Sequence, residues 1–185
     1  MTEKEKMIKG ELYDAADVAL VKERTACKEL CYDYSHLRPS ASEKRSEIMR
    51  KILGGCKGSF TIEPSVWFDY GYNISIGENF YSNHNLVILD AAKVTFGDNV
   101  FIAPACGFYT ATHPTDAAQR NKGLEFAKPI TVGNNVWIGA GVTVLAGVEI
   151  GDNCVVGAGS VVVKSIPSGS IAVGNPCRVI KSVPK

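Results

Sequence analysis

Residues 130–164 read ITVGNNVWIGAGVTVLAGVEIGDNCVVGAGSVVVK, and an aliphatic residue returns at every sixth position of this stretch. These anchor residues are Val132, Ile138, Val144, Ile150, Val156 and Val162. A second row of small or branched residues follows four positions after each anchor: Val136, Val142, Val148, Cys154, Ser160 and Ile166. A fixed six-residue repeat is typical of a parallel β-helix, in which each hexad is a short strand and a turn. The spacing disfavours a β-sandwich, whose strands recur roughly every 8–12 residues.

Weaker copies of the repeat extend toward the N-terminus. The same register is present at Phe96, Ile102 and Phe108, and more loosely from Ile76 onward. The triplets GDN (97–99), GNN (133–135) and GDN (151–153) are separated by multiples of three hexads, which is one triangular coil. The repeat stops at His113, and the following PTDAAQRNKGLEFAK (114–128) contains no hexad. We therefore predict a mainly β fold, a parallel β-helix with one projecting loop at about 114–128.

The first 57 residues have a different composition. They carry 12 Lys and Arg and 10 Asp and Glu out of 20 and 19 in the whole chain. Residues 14–36 contain good helix formers with apolar residues at helical spacing, which predicts a helix. A second helix is predicted over 40–53, opened by a capping box of Ser40 and Glu43, with a break near Pro39. We predict an N-terminal helical segment (1–57), followed by the β-helix and a C-terminal tail (58–185).

Composition and charge exclude several classes of function. The formal net charge is +1, so no strong field would attract nucleic acid or a membrane surface. The N-terminus is charged and the chain contains no long apolar run, so we expect a cytoplasmic protein without membrane contact. None of the six cysteines forms a C-x-x-C pair, which favours reduced, packed thiols over a zinc site. No metal is expected.

Several segments together resemble a known family. These are MTEKEKMIKGELYDA, YGYNISIGENFYSNHNLVILD, TATHP, NNVWIG and GNPCRVIK. They are similar to the maltose and galactoside O-acetyltransferases, a branch of the hexapeptide-repeat acyltransferases, over nearly the whole chain. The resemblance implies a left-handed parallel β-helix and a homotrimer with active sites between neighbouring subunits. It also implies transfer of acetyl from acetyl-CoA to a sugar hydroxyl.

The resemblance places the catalytic histidine at His113. A sugar hydroxyl is a weak nucleophile, and an imidazole with a pKa near neutrality is suited to removing its proton. The chain has no G-x-S-x-G motif, and nothing marks a cysteine nucleophile, so direct transfer is the simplest mechanism. Glu125, in the projecting loop, is a candidate to orient His113, although loop carboxylates are more often merely solvated.

The resemblance also suggests residues for the two substrates. Candidate acceptor-binding residues are Asp14, Asp69, Asn83 and Asp90. Asp69 stands where the galactoside enzymes have serine, which favours a maltose- or glucose-type acceptor but leaves the acceptor open. Candidate acetyl-CoA-binding residues from the resemblance are Trp137, Ala140, Ala158 and Lys164. Residues 129–163 contain no Lys or Arg, so phosphates would be bound beyond this small-residue wall, by Lys164, Arg178 or Lys181.

Three alternatives remain open from the sequence. A xenobiotic (antibiotic) or serine O-acetyltransferase would use the same fold and donor. A zinc-dependent carbonic anhydrase on this fold needs three converging histidines, whereas the β-helix contains only His84 and His113. A non-catalytic β-helix would need neither His113 nor the projecting loop.

Overall fold

A computed structural model describes residues 1–184 and consists mainly of short strands. The helices are α1 (Glu3–Lys9), α2 (Val18–Ser35), α3 (Ser42–Ile52) and α4 (Ala117–Arg120). The strands are β1 (Tyr13–Asp14), β2 (Gly55–Cys56), β3 (Phe60–Ile62), β4 (Val66–Phe68), β5 (Ile74–Ile76), β6 (Phe80–Ser82), β7 (Leu86–Leu89), β8 (Val94–Phe96), β9 (Phe101–Ile102), β10 (Gly107–Tyr109), β11 (Ala111–Thr112), β12 (Leu124–Ala127), β13 (Ile130–Val132), β14 (Trp137–Ile138), β15 (Thr143–Leu145), β16 (Glu149–Ile150), β17 (Val155–Val156), β18 (Val161–Val162), β19 (Ser170–Val173) and β20 (Arg178–Ser182).

The repeated strands stack into three parallel sheets, which form the faces of a prism. Face 1 has the order β16-β13-β8-β5-β2, and face 3 has the order β18-β15-β10-β7-β4. Face 2 has the order β19-β17-β14-β9-β6-β3, with β20 added antiparallel to β19. The chain visits the faces in turn, so each strand pairs with the strand one coil later. The predicted parallel β-helix is confirmed.

The register between coils follows the hexad count. Val132 pairs with Ile150, and Val144 with Val162, at a separation of one 18-residue coil. Phe96 pairs with Val132, because the coil between them also contains the projecting segment. The earlier coils contain 20 residues rather than 18, as the pairing of Tyr81 with Phe101 shows. Two extra corner residues per coil explain why the repeat is harder to see there.

Both predicted rows of residues fill the interior of the prism. Every anchor from Val132 to Val162 is buried, and so are the residues four positions later. Three aromatic rings of the earlier coils pack in tilted and edge-to-face pairs, with centroid distances of 5.2 Å between Phe80 and Phe96 and 5.0 Å between Phe96 and Phe108. Burying a large apolar side chain contributes about 1.5–3 kcal/mol, so this continuous column dominates the stability of the β-helix.

One corner of the prism is built from stacked asparagines. Asn79, Asn99, Asn135 and Asn153 all have φ between 53° and 56°, in the left-handed region that asparagine tolerates. Their side-chain amides hydrogen-bond from coil to coil at 2.9–3.2 Å. Beside them Gly133 is required, because a Cβ at that position would lie 2.5 Å from Asp152 Oδ1. The GDN and GNN triplets therefore mark this corner.

The N-terminal helices close the end of the prism formed by its first coils. Buried residues of α2 and α3, including Cys31, Tyr34 and Met49, belong to the same hydrophobic core as the β-helix. The predicted break near Pro39 is confirmed, because α2 ends at Ser35 and α3 begins at Ser42. None of the helices in residues 1–184 is both long and apolar enough to cross a bilayer.

The predicted capping box at Ser40 is wrong. Helix α3 has Ala41 at its N-cap, and no side chain caps it. The chain turns at 38–41, where the Ala41 amide donates to the Arg38 carbonyl, so the helix starts two residues later than Ser40. A capping box is present instead at α1, between Thr2 and Glu5.

The projecting segment leaves the corner between faces 3 and 1 and returns as a strand. After α4, β12 pairs antiparallel with β11 on one side and with β1 on the other. The N-terminal Tyr13 and Asp14 are thereby joined to a segment more than a hundred residues later. This small three-stranded sheet carries His113 and Glu125.

Candidate active site

His113 lies directly after β11, at the edge of the three-stranded sheet. Its Nδ1 is 3.1 Å from the Leu124 carbonyl oxygen across the β11–β12 pair. A carbonyl can only accept, so Nδ1 carries the hydrogen and Nε2 carries the lone pair. The side chain is about half exposed, at 50%. The backbone of β12 thus fixes both the orientation and the tautomer of this imidazole, and leaves Nε2 free to take a proton.

Glu125 lies on the Nε2 side of the imidazole. Its Oε1 is 3.8 Å from His113 Nε2, which is an ion-pair distance but too long for a hydrogen bond. Its Oε2 accepts a 2.9 Å hydrogen bond from the hydroxyl of Tyr13, which is buried. Burial and the adjacent carboxylate both raise the pKa of Tyr13, so its hydroxyl stays a donor. Tyr13 holds the Glu125 carboxylate beside the imidazole.

Tyr13 and Glu125 also line a small polar cavity. Its volume is about 190 Å³, and it is lined by Tyr13, Ala15, Arg24, Asp69, Tyr70, Ala91 and Glu125. The Arg24 guanidinium donates to the Tyr70 hydroxyl at 2.7 Å and to the Ala15 carbonyl at 2.6 Å. Burial raises the pKa of Asp69, although Lys28, with its Nζ 3.7 Å from Asp69 Oδ1, acts in the opposite direction. The wall therefore presents fixed donors and acceptors suited to hydroxyl groups.

Asp90 lies behind this wall rather than on it. Its side chain is fully buried, and its Oδ1 accepts hydrogen bonds from the backbone amides of Asp69 at 3.0 Å and Tyr70 at 2.8 Å. Its Oδ2 is buried without a partner among the described residues. Burial raises the pKa of Asp90 to about 6. In this geometry Asp90 reaches the cavity only through the backbone that it holds.

The structure brings some of the predicted residues together and separates others. Asp69 and Asp90 follow strands of face 3, on the corner from which the segment with His113 and Glu125 projects. Asp14 pairs with Leu124 in the same small sheet, and its Oδ1 accepts the Ala16 amide hydrogen. Asn83 follows β6 of face 2, on a different corner, where its Oδ1 accepts from the His84 amide.

Comparison with known proteins identifies the family. A family model described as the maltose acetyltransferase hexapeptide capping motif matches residues 6–58, and one for the bacterial transferase hexapeptide (six repeats) matches residues 129–164. A Saccharomyces cerevisiae protein, named only as an inferred acetyltransferase, is 53% identical over 97% of this chain and 92% of its own length.

Two solved structures are similar over the whole chain. A maltose O-acetyltransferase from Clostridium difficile 630 superposes with a TM-score of 0.98, at 49% identity, over 100% of this chain and 99% of its own. A galactoside acetyltransferase in complex with coenzyme A has a TM-score of 0.96 at 43% identity, over 100% of this chain and 92% of its own. The chain belongs to the maltose and galactoside O-acetyltransferase family. It is an acetyltransferase with the hexapeptide-repeat fold.

In this acetyltransferase the residues predicted for the donor lie mainly along the corner between faces 2 and 3. Ala140 and Ala158 follow β14 and β17 and stack directly, since the Gly159 amide donates to the Ala140 carbonyl at 2.8 Å. Trp137 stands on face 2 and is 58% exposed, so it is not a packing residue within one chain. A Cβ placed at Gly141 or Gly159 would meet nothing within 4 Å. The surface along this corner therefore carries no bulky side chains at these glycines, which leaves room for a slender pantetheine arm.

The basic residues predicted for the phosphates are more scattered. Lys164 is exposed on the corner between faces 3 and 1, after β18. Arg178 is exposed at the start of β20, where its guanidinium donates to the Cys177 carbonyl at 2.8 Å. Lys181 pairs with Ile171 on the same antiparallel ribbon. No group of three or more potential metal ligands is found among residues 1–184.

Sequence reasoning missed three residues of the site, namely Tyr13, Arg24 and Tyr70. All three come from the N-terminal segment or the first coils, where no repeat marks a position. A signal existed only for Tyr13, because a buried tyrosine hydroxyl needs a partner and Tyr13 is adjacent to the predicted Asp14. Finding that partner required the pairing of β1 with β12.

Proposed function

We propose that this acetyltransferase moves acetyl from acetyl-CoA to a hydroxyl of a sugar, of the maltose or glucose type, with His113 as the general base. The observation that carries the proposal is the His113 imidazole. Nδ1 is held by the Leu124 carbonyl, and Nε2 lies 3.8 Å from Glu125, which in turn lines a polar cavity of about 190 Å³. That volume and polarity suit a single sugar ring better than a large apolar drug.

The proposed mechanism is direct transfer. Nε2 of His113 removes the proton as the sugar oxygen attacks the thioester carbonyl, and a tetrahedral intermediate forms. When the carbon–sulfur bond breaks, the imidazolium returns the proton to the CoA thiolate. Glu125 would stabilise the imidazolium, because its carboxylate is already on the Nε2 side. It would not orient the ring through Nδ1, since the Leu124 carbonyl is bonded there.

We further propose that the complete site forms between copies of the chain in a homotrimer. Asn83, Ala140 and Ala158 are on the corner between faces 2 and 3, whereas His113 and Asp69 are on the next corner. A cleft that uses both sets needs two copies, with one corner of each copy facing the other corner of its neighbour. Such a head-to-tail contact forms a closed ring when the rotation between copies is a simple fraction of a turn, and a third of a turn gives the proposed trimer. The cytoplasmic location stays a prediction.

Replacing His113 with Ala tests the general base. A thiol-release assay with acetyl-CoA would be run across glucose, maltose, galactosides, serine and chloramphenicol. Turnover with the best acceptor should fall by about 10²–10⁴-fold, the range for loss of a general base. His36→Ala is the matched control, because His36 is exposed at the end of α2. A loss below about tenfold contradicts the role of His113, and preference for serine or chloramphenicol contradicts the sugar acceptor.

A further inference from the structure

A second cavity lies next to the one that Asp69 and Glu125 line, at the other end of β12. Its volume is about 580 Å³, within the range of about 300–1,000 Å³ that small-molecule sites occupy. It is bounded by α1, by the start of face 1 and by the end of β12. Ala91 lines both cavities, so the two are neighbours.

The floor of this second cavity is apolar and rigid. Ala91, Ala92 and Ala127 form it and are themselves 2%, 9% and 2% exposed, so their backbone is part of the packed core. Two large apolar side chains stand around the floor with much of their surface open to solvent. Ile8 is 58% exposed and Tyr72 is 37% exposed. An apolar body lying on the floor would cover both.

The rim of the cavity is uniformly basic. Lys4, Lys9, Lys93 and Lys128 line it, and no Asp or Glu of residues 1–184 does so. Lys4 is committed within the chain, because its Nζ is 2.8 Å from Glu23 and 4.5 Å from the centre of the Tyr72 ring. The other three ammonium groups are on exposed residues, and their flexible stems allow them to reach a ligand at the mouth.

We propose that this second cavity binds a small amphiphile with an apolar body and a single anionic head, for which a medium-chain carboxylate is the model compound. The apolar floor takes the body, and Lys9, Lys93 and Lys128 bind the head at the mouth. A neutral or cationic amphiphile of the same length would contact the apolar floor but would not form ion pairs with the lysines of the rim. Neither His113 nor Glu125 is among the residues that line this second cavity, although Ala91 lines both cavities.

Binding of octanoate by the wild-type chain tests the proposal, with octan-1-ol and octylamine as neutral and cationic probes of the same length. Isothermal titration should give tighter binding for octanoate than for either control. At about ten times Kd, octanoate should raise Tm by about 3–6 °C. The Lys93→Gln/Lys128→Gln variant should weaken octanoate binding on the order of tenfold and leave octan-1-ol unaffected. The Lys44→Gln/Lys57→Gln variant removes the same charge from exposed positions elsewhere and should bind octanoate normally.

Three results would overturn the proposal. The first is octan-1-ol binding as tightly as octanoate, and the second is equal weakening by both lysine pairs. The third is a change of oligomeric mass in light scattering on Lys93→Gln/Lys128→Gln, which would make this surface a contact between copies. Acetyl transfer is not the readout, so failure here leaves the proposed function standing.

Discussion

At the scale of single residues, the proposed chemistry depends on which nitrogen of His113 is already engaged. The Leu124 carbonyl takes Nδ1, and Tyr13 keeps Glu125 on the side of Nε2. The family resemblance identified His113, and the place of Glu125 in the projecting loop made it a candidate to orient that histidine. The sequence could not predict which ring nitrogen Glu125 would face. That relation is created by strand pairing between β11, β12 and β1, and residues so far apart in the chain leave no local pattern.

Replacing Tyr13 with Phe tests whether the Glu125 carboxylate needs its donor. The ring stays buried, but the 2.9 Å hydrogen bond to Oε2 is lost. A hydrogen bond to a charged group contributes about 1.5–3 kcal/mol to stability, so we expect Tm to fall by several degrees. We expect kcat/KM to fall on the order of tenfold, because the carboxylate is no longer held beside the imidazole. Tyr32→Phe, at a 54% exposed position on α2, is the matched control. Unchanged kcat/KM in Tyr13→Phe would show that the position of Glu125 does not matter.

Asp90 predicts a specific dependence of stability on pH. Burial raises its pKa from 3.8 to about 6, so between these values the native state binds more protons than the unfolded state. Asp90 therefore makes its full contribution to the free energy of unfolding at pH values below about 4. That contribution, about 3 kcal/mol in total, is lost as the pH rises through 6. The nearby Asp69 carboxylate, whose pKa is also raised, contributes in the same direction.

Urea unfolding of the wild type and of Asp90→Asn at a series of pH values measures this effect. The asparagine keeps an oxygen for the amides of Asp69 and Tyr70 but cannot ionise. We expect the difference in unfolding free energy between pH 4 and pH 7 to shift by about 2.5 kcal/mol between the two proteins. Parallel curves for the two would mean that Asp90 titrates normally.

At the scale of elements, the hexad repeat determined almost all of the β-helix in advance. It predicted the faces, the buried rows and the 18-residue coil, because each hexad buries the same types of residue at the same positions. It did not predict β12, which was assigned to an irregular loop. That strand lies outside the prism and pairs with β1 and β11, so its residues do not have to follow the hexad repeat. The wrong capping box at Ser40 has a local cause, since a turn at 38–41 replaces the predicted cap.

Asn135 tests the asparagine corner. It has a φ of 56°, and its amide links Asn99 and Asn153 across three coils. Asn135→Ala keeps the left-handed φ but removes the side-chain hydrogen bonds that offset it. We expect this to cost about 1–2 kcal/mol of unfolding free energy. Asn135→Gly loses the same side chain but not the backbone freedom, so its loss in urea unfolding should be clearly smaller. Equal losses would assign the stabilisation to the amide ladder instead of the backbone.

At the scale of the whole molecule, one chain is an incomplete enzyme in the proposed mechanism. Most of the candidate acetyl-CoA-binding residues follow face 2, whereas His113 projects beyond face 3. Because the prism is rigid, the two sets of residues of one chain do not meet at a single site. The exposed Trp137 and Phe101, paired side by side on face 2, add an apolar surface that a neighbour would cover. A shared site predicts that two inactive chains can rescue each other.

The rescue experiment mixes His113→Ala with Ala158→Trp, an exposed position where a large ring should block the donor. Each variant alone should be inactive. After unfolding and joint refolding at equal amounts, a site is intact only where the histidine comes from an Ala158→Trp chain and the donor wall from a His113→Ala chain. Random assembly makes that about a quarter of all sites, so activity should return to roughly 25% of wild type. Light scattering should give three chain masses throughout. A trimer that forms without any return of activity would place the whole site within one chain, and the proposed division of labour between corners would fail.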